Sequence, residues 1–260
     1  MYKLIAADMD GTLLTNSGEI SEKTIEYINY LKQKGVVFVP ASGRAPNGLE
    51  DYKKILNHTS PVICSNGAYA EVDGKVVFEK ELLPDDAKKI LDLGQKYNAS
   101  MFIWSKNRLY TNGTPEKIEK YEKMAHTRSE YKTDFSDLLA QGITKILWFS
   151  DEEKIAKIRD EINPKEFSKV TYLTSCPFFL EFFNADASKG KALIEIGKAY
   201  CIAPSEMIAI GDGENDISML EAVGLGVAMQ NASDKVKASA DFITLSNEED
   251  GVAYVIEKFI

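Results

Sequence analysis

The chain has 260 residues, 44% of them hydrophobic and 27% charged, enough for one large domain or, as favoured here, two smaller ones with buried cores. Its 31 Lys and Arg against 40 Asp and Glu leave a net charge of −9, which argues against a nucleic-acid partner, because that affinity comes from phosphate neutralisation. No apolar run approaches the ~20 residues of a membrane helix, and the N-terminal apolar stretch closes on Asp8 rather than on a cleavage site, so the expectation is a cytoplasmic protein with no membrane partner.

The first element in chain order is a short apolar run, Leu4 to Ala7, closed by Asp8-Met9-Asp10-Gly11-Thr12. Ser21 then starts a helical pattern with Thr24, Ile25, Ile28 and Leu31 on one face and Gly35 past its end. Val36 to Val39 leads into Pro40-Ala41-Ser42-Gly43, and Val62 to Cys64 into Ser65-Asn66-Gly67. Val72-Asp73-Gly74-Lys75-Val76 reads as a hairpin turn, and Met101 to Thr111 as a second hairpin. Residues 85–184 differ in texture, with both tryptophans, several Tyr and Phe, and helices rich in Lys and Glu. After them come helical patterns at Lys189 to Ala199 and Asp216 to Ala222. Around these lie apolar runs at Met207 to Ile210, Leu225 to Met229 and Phe242 to Leu245. Uninterrupted apolar runs alternating with helices predict a doubly wound, Rossmann-like parallel sheet of the α/β class, whose ligands bind at the carboxyl ends of the strands. The expected organisation is a core of residues 1–81 and 186–260 carrying an inserted smaller α/β domain over 82–185.

The chemistry-bearing residues sit at those strand ends. Asp8 and Asp10 could hold a hard cation, with one also serving as nucleophile or proton carrier, although Asp and Gly also make ordinary turns. An EF-hand is excluded, since Gly11 and Glu19 do not fall at that loop's glycine and closing-glutamate spacing. Gly211-Asp212-Gly213-Glu214-Asn215-Asp216 places three acids and an amide within a few residues, more than helix capping explains. Oxygen ligands of this kind point to magnesium rather than zinc. The three cysteines lack a CxxC pair and there are only two histidines, so a zinc site is not expected and the thiols are predicted to be reduced and mostly buried. Ser42-Gly43 offers a hydroxyl and an N–H for an anion at a loop entering a helix. Lys189 opens a helix, where a cation opposes the dipole, so a purely structural role is disfavoured. The Asn-x-Ser/Thr triplets starting at Asn98, Asn112 and Asn231 carry no weight without a secretion signal, and no phosphate-binding GxxxxGK[ST] loop is present.

Taken in order, Asp8-x-Asp10-Gly11-Thr12, Ser42-Gly43-Arg44, Lys189-Gly190 and Gly211-Asp212-x-x-Asn215-Asp216 resemble the haloacid dehalogenase superfamily of phosphohydrolases. The long insertion between the second and third motifs, Ser65-Asn66-Gly67-Ala68, and Phe179-Leu180-Glu181 are similar to its Cof-like branch with a type 2 cap; the likeness spans essentially the whole chain. The resemblance implies that Asp8 attacks phosphorus and forms an aspartyl-phosphate, while Asp10 protonates the leaving alcohol and then activates water. Met9, Ser42, Gly43, Lys189 and Asn215 would contact the phosphate. Magnesium would be held by Asp8, Asp10 through its carbonyl, and Asp212, with Asp216 orienting its waters. Arg44 would brace the loop or reach the substrate.

Elementary electrostatics agrees: at ~4 Å a phosphate charge beside an aspartate costs about 4 kcal/mol at an effective dielectric near 20, which a metal and Lys189 would reverse. The inserted domain is expected to act as a lid over a small phosphorylated metabolite such as a sugar phosphate. Its candidate readers are Trp104, Arg108, Tyr110, Lys145 and the run Ser175-Cys176-Pro177-Phe178. No obligate protein partner is inferred. The same chemistry would also serve a sugar-phosphate mutase or phosphotransferase, and a non-catalytic phosphometabolite sensor would have no use for Asp10.

Overall fold

The computed structural model describes residues 1–58, 60–174 and 176–260. The chain opens with β1 (Leu4–Asp8), α1 (Glu22–Gln33), β2 (Val37–Ala41), α2 (Glu50–Ile55), β3 (Val62–Cys64), β4 (Tyr69–Val72) and β5 (Lys75–Glu79). It continues through α3 (Pro84–Lys96), β6 (Ser100–Ser105), β7 (Arg108–Thr111), α4 (Pro115–Ala125), β8 (Ser129–Tyr131), α5 (Ser136–Gln141), β9 (Lys145–Phe149), α6 (Glu152–Glu161), β10 (Val170–Leu173) and β11 (Phe179–Asn184). The last stretch holds α7 (Lys189–Ala199), β12 (Met207–Gly211), α8 (Ile217–Leu220), β13 (Leu225–Ala228), α9 (Asp234–Lys237), β14 (Phe242–Ile243) and α10 (Gly251–Phe259). These elements form two compact units, one of Met1–Gly43, Glu50–Phe78 and Ser188–Ile260, the other of Arg44–Leu49 and Glu79–Ala187.

The first unit is built on a sheet of order β14-β13-β12-β1-β2-β3-β4-β5. From β14 to β3 every neighbouring pair is parallel, and β4 then turns antiparallel to β3. The central strands are apolar at nearly every position because both faces are covered: Leu4 and Ala6 pack with Leu193 and Ile196 of α7 and Met219 of α8. Helix α1 starts where the Ser21 hydroxyl accepts the Thr24 N–H at 3.1 Å, and buries Thr24, Ile28 and Leu31. The β4–β5 turn puts Asp73 and Gly74 at positive φ, the turn that matches strand twist in a two-residue hairpin.

The second unit carries a sheet of order β10-β11-β9-β6-β7-β8, antiparallel except for the β7–β8 pair. On one face Met101, Ile103, Ile146, Trp148, Leu180 and Phe182 pack against α3, α5 and α6. The opposite face gathers Phe102, Trp104, Leu147, Phe149 and Phe179 with Tyr121 of α4. The predicted second hairpin is β6–β7, turning at Lys106 and Asn107, both at positive φ.

Some local expectations change. The loop after β2 enters its helix through a 3-10 turn, Pro46–Leu49, that continues directly into α2. Arg44–Leu49 belongs to the second unit. The helix expected over Asp216 to Ala222 is one turn of α-helix, Ile217–Leu220. Of the three free thiols only Cys64 is buried, Cys176 being half-buried and Cys201 exposed. Among the described residues, no helix is long and apolar enough to cross a membrane.

Candidate active site

In the first unit the chain leaves β1 for β2 on one side of the sheet and returns to β12 on the other, so the carboxyl ends of β1 and β12 form the switch point where open α/β sheets bind ligands. Asp8 is the last residue of β1 and only 6% exposed, and Asp212 directly follows β12. The Asp-Gly-Thr part of the first motif shapes the turn between them. Gly11 lies at φ 88°, and a Cβ there would run into the Asp212 carboxylate. Thr12 donates its hydroxyl proton to Asp212 Oδ1 at 2.8 Å. The turn is closed by Leu13 N–H on the Asp8 carbonyl and Leu14 N–H on that of Met9. Asn231 braces it from the β13 side, donating its amide to the Gly11 carbonyl at 2.8 Å.

Lys189 begins α7, and its side chain is wholly buried. Its ammonium donates to Asp8 Oδ1 and, at 2.5 Å, to Asp216 Oδ1. The other oxygen of Asp216 accepts the backbone N–H groups of Asp212 (3.1 Å) and Gly213 (2.9 Å). Asp216 thus ties the Gly211–Asp216 loop to Lys189 with both of its oxygens. Gly67 lets the β3–β4 turn lie against the backbone of Ser188 and Lys189, and Gly190 lets α7 touch the Ser218 carbonyl; a Cβ at either would collide with main chain.

One oxygen from each of Asp8, Asp212 and Asp216 falls within 4.8 Å of the other two. Burial, with Asp216 beside it, drives the Asp8 carboxyl well above the usual carboxylate range despite Lys189. Burial and Asp216 also raise Asp212, against the Thr12 hydrogen bond. Burial opposes the Lys189 charge, yet Asp216 and Asp8 together hold its pKa above the ordinary lysine value. Three carboxylates around one ammonium leave negative charge uncompensated, and an all-oxygen donor set of this kind fits a hard divalent cation. With Asp216 committed to Lys189 and two amides, Asp8 and Asp212 are the acids better disposed to hold one directly.

Ser42 and Gly43 follow Ala41, the register partner of Asp8, at the end of β2. Ser42 is wholly buried and its carbonyl accepts the Asn66 N–H at 3.1 Å. Asn215 donates its amide to Asn66 Oδ1 at 2.9 Å. The Met9 side chain is buried in the core, whereas Asp10 is exposed. Thr12, Asn66 and Asn231 belong to this network and carry no role in the sequence reading. Thr12 and Asn66 lie inside sequence motifs, but only the fold reveals what their side chains hold.

The residues nominated as substrate readers are in the second unit and are dispersed there. Trp104 is buried and donates its indole N–H to the Tyr121 hydroxyl at 3.2 Å. Tyr110 lies in the core under α3 and α5. Arg108 pairs with Glu130 at 3.0 Å and sits over the Tyr110 ring. Lys145 forms a buried ion pair with Glu181 at 3.0 Å, and Glu181 with Tyr121 holds its pKa above the ordinary lysine value against the burial. Arg44 is half-buried. Phe178 is half-buried under the Lys120 ammonium and Pro177 is exposed; Ser175 lies outside the described residues.

A parallel α/β sheet with an aspartate at its switch point, two further acids and a buried lysine defines a hydrolase core of the kind that works on anionic groups. The model of the haloacid dehalogenase-like hydrolases matches residues 5–256, and the chain belongs to that family. It is 34% identical over 271 residues to YxeH of Bacillus subtilis, named a phosphatase without a stated substrate, with 100% of this chain and 99% of YxeH covered. YwtE of the same organism, named a 5-amino-6-(5-phospho-D-ribitylamino)uracil phosphatase, is 29% identical over 286 residues, covering 99% of this chain and 98% of YwtE. Among solved structures, TM0651 from Thermotoga maritima superposes with a TM-score of 0.90 at 32% identity, over 100% of this chain and 98% of that one.

Proposed function

We propose that this chain is a magnesium-dependent phosphatase that hydrolyses small phosphorylated metabolites through an aspartyl-phosphate on Asp8. The observation that carries the proposal is the buried Asp8–Lys189–Asp216 chain beside Asp212 at the switch point of the sheet. Asp8 and Asp212, with the Asp10 main-chain carbonyl, would hold the cation. Bound there, magnesium supplies charge neutralisation to the phosphoryl oxygens and to the acids around them.

Asp8 attacks phosphorus, and the bond from phosphorus to the ester oxygen breaks in line. The departing alkoxide takes its proton from the Asp10 carboxylic acid, so a neutral alcohol leaves. Asp10, now a carboxylate, removes a proton from water, whose oxygen attacks phosphorus. The bond to Asp8 breaks, inorganic phosphate departs, and both aspartates return to their starting states. Lys189 keeps Asp8 in place and offsets phosphoryl charge, while Ser42, Gly43 and Asn215 supply donors to the same group. The exposure of Asp10 beside the buried Asp8 suits a group that exchanges protons with a leaving group and with water.

YwtE is named for a substrate that carries a phosphorylated ribityl chain, and by analogy a phosphorylated sugar or polyol is the class proposed here. Phosphate release from a panel of sugar, polyol and nucleotide monophosphates, with magnesium and then with EDTA, tests this. Magnesium-dependent release led by the sugar and polyol esters is expected. Isomerised ester with little free phosphate would instead indicate a mutase.

A further inference from the structure

The turn between β3 and β4 places three successive residues at positive φ: Ser65 at 51°, Asn66 at 55° and Gly67 at 85°. Side-chain-bearing residues rarely adopt that conformation and keep it where the surroundings enforce it. Here the Asn66 N–H is held by the Ser42 carbonyl at 3.1 Å and the Ala68 N–H by the Ser65 carbonyl at 3.0 Å. Gly67 meanwhile lies against the Ser188–Lys189 backbone. The Asn66 carboxamide therefore projects from a fixed point. Its Oδ1 accepts the Asn215 amide at 2.9 Å, and the same Oδ1 would lie 2.9 Å from a Cβ placed on Gly43. One side chain thus touches two of the groups assigned to the phosphate, from two different strand ends, and its backbone is anchored to a third, Ser42.

We infer that Asn66 is a positioning residue of the site: its carboxamide sets the spacing between the Gly43 amide and the Asn215 side chain, so that both meet one phosphoryl group. It acts through Asn215 and Gly43 and needs no contact with the reacting atoms. This rests on the phosphatase reading for the roles of Gly43 and Asn215, while the Asn66 contacts stand independently of it. Asparagine suits the position twice, because it tolerates the left-handed backbone and carries an acceptor for Asn215.

The test compares Asn66→Gly, Asn215→Ala and the double variant, since glycine keeps the backbone conformation while removing the carboxamide. The readouts are KM for a phosphomonoester, the inhibition constant of inorganic phosphate, and the thermal midpoint. Each single variant is expected to raise KM and the phosphate constant together by roughly three- to tenfold, the loss of about one hydrogen bond. The double variant should lose no more than twofold beyond Asn215→Ala, because both changes remove one shared interaction. A second arm places Gly43→Ala in both backgrounds: its penalty should shrink when Asn66 is glycine, as the added methyl then has room. Unchanged constants in Asn66→Gly, multiplicative losses in the double variant, or a lower thermal midpoint with unaltered KM would each overturn the inference. If the unaltered chain releases no phosphate, the phosphatase reading fails; phosphate binding, followed by calorimetry, then decides the Asn66 inference by the same criteria.

Discussion

Lys189 is the residue on which the site's charge balance turns. It is wholly buried, at the start of a helix whose dipole opposes a cation, and it is kept there by contacts to Asp8 and Asp216. Replacing it with methionine of similar length leaves two crowded acids without their cation. Lys189→Met should therefore destabilise the chain by about 3 kcal/mol, measured by urea unfolding. It should also lower kcat by ~10³-fold, measured with a saturating phosphomonoester. A second residue-scale prediction concerns His58, outside the site. Burial, with Lys32 and Lys53 nearby, lowers its pKa below the ordinary value, although the ring bonds the Pro61 carbonyl at 2.8 Å and meets Phe38 edge-on. The unfolded chain then binds the proton more readily than the folded one. The stabilisation is complete above the unfolded histidine pKa of ~6.5 and is lost as pH falls through the lower folded value. Unfolding free energy measured between pH 7.5 and 5 should decline less steeply in His58→Phe than in the unaltered protein; equal slopes would contradict this.

At the scale of elements, glycine contacts decide how closely α7 can approach its neighbours. Gly190 sits against the Ser218 carbonyl, and Ser218 in turn accepts the Gly190 N–H on its hydroxyl at 3.2 Å. A methyl at this position would press backbone on backbone, and α7 carries Lys189 one residue earlier. Gly190→Ala should cost about 1–3 kcal/mol of stability and lower kcat/KM through the displaced lysine, read from urea midpoints and steady-state kinetics. The elements themselves were largely readable. The apolar runs around Ile5, Val39, Ile63 and Ile208 become central strands because burial on both faces permits no polar alternation. The Asp73-Gly74 turn is a local signal that needs no tertiary context. Arg44–Leu49 was less readable: Ala45 is buried against the second unit's own core, a long-range packing event with no local periodicity. Helix α8 is shorter than its sequence pattern predicts, and beyond it Gly224 and Gly226 let the chain lie against the Ser205 and Leu220 backbones.

Across the whole molecule, the acids and lysine of the site all come from the first unit, yet they are separated by up to 208 positions in sequence, from Asp8 to Asp216. Motif order suggested that they belong together, and the parallel register of β1 with β12 supplies the reason they meet. Sequence could not reveal Asn66, Asn231 or Thr12 as partners of that site, because each acts through a hydrogen bond across a long chain separation. Nor could it foresee that Tyr110 would lie in the core of the second unit or that Lys145 would be engaged by Glu181, since polar and aromatic residues in an inserted domain look alike until packing is known. The net charge of −9 makes the molecule as a whole repulsive to phosphate esters, so under the proposed function the attraction would be local, at Lys189 and the cation held by the acids. The most direct test of this account is phosphate release by the unaltered chain and by Asp8→Asn, both with magnesium, after circular dichroism has established equal folding. Steady release by the former and none above background by the latter is predicted; release by Asp8→Asn at an undiminished rate would contradict the role of Asp8 as nucleophile.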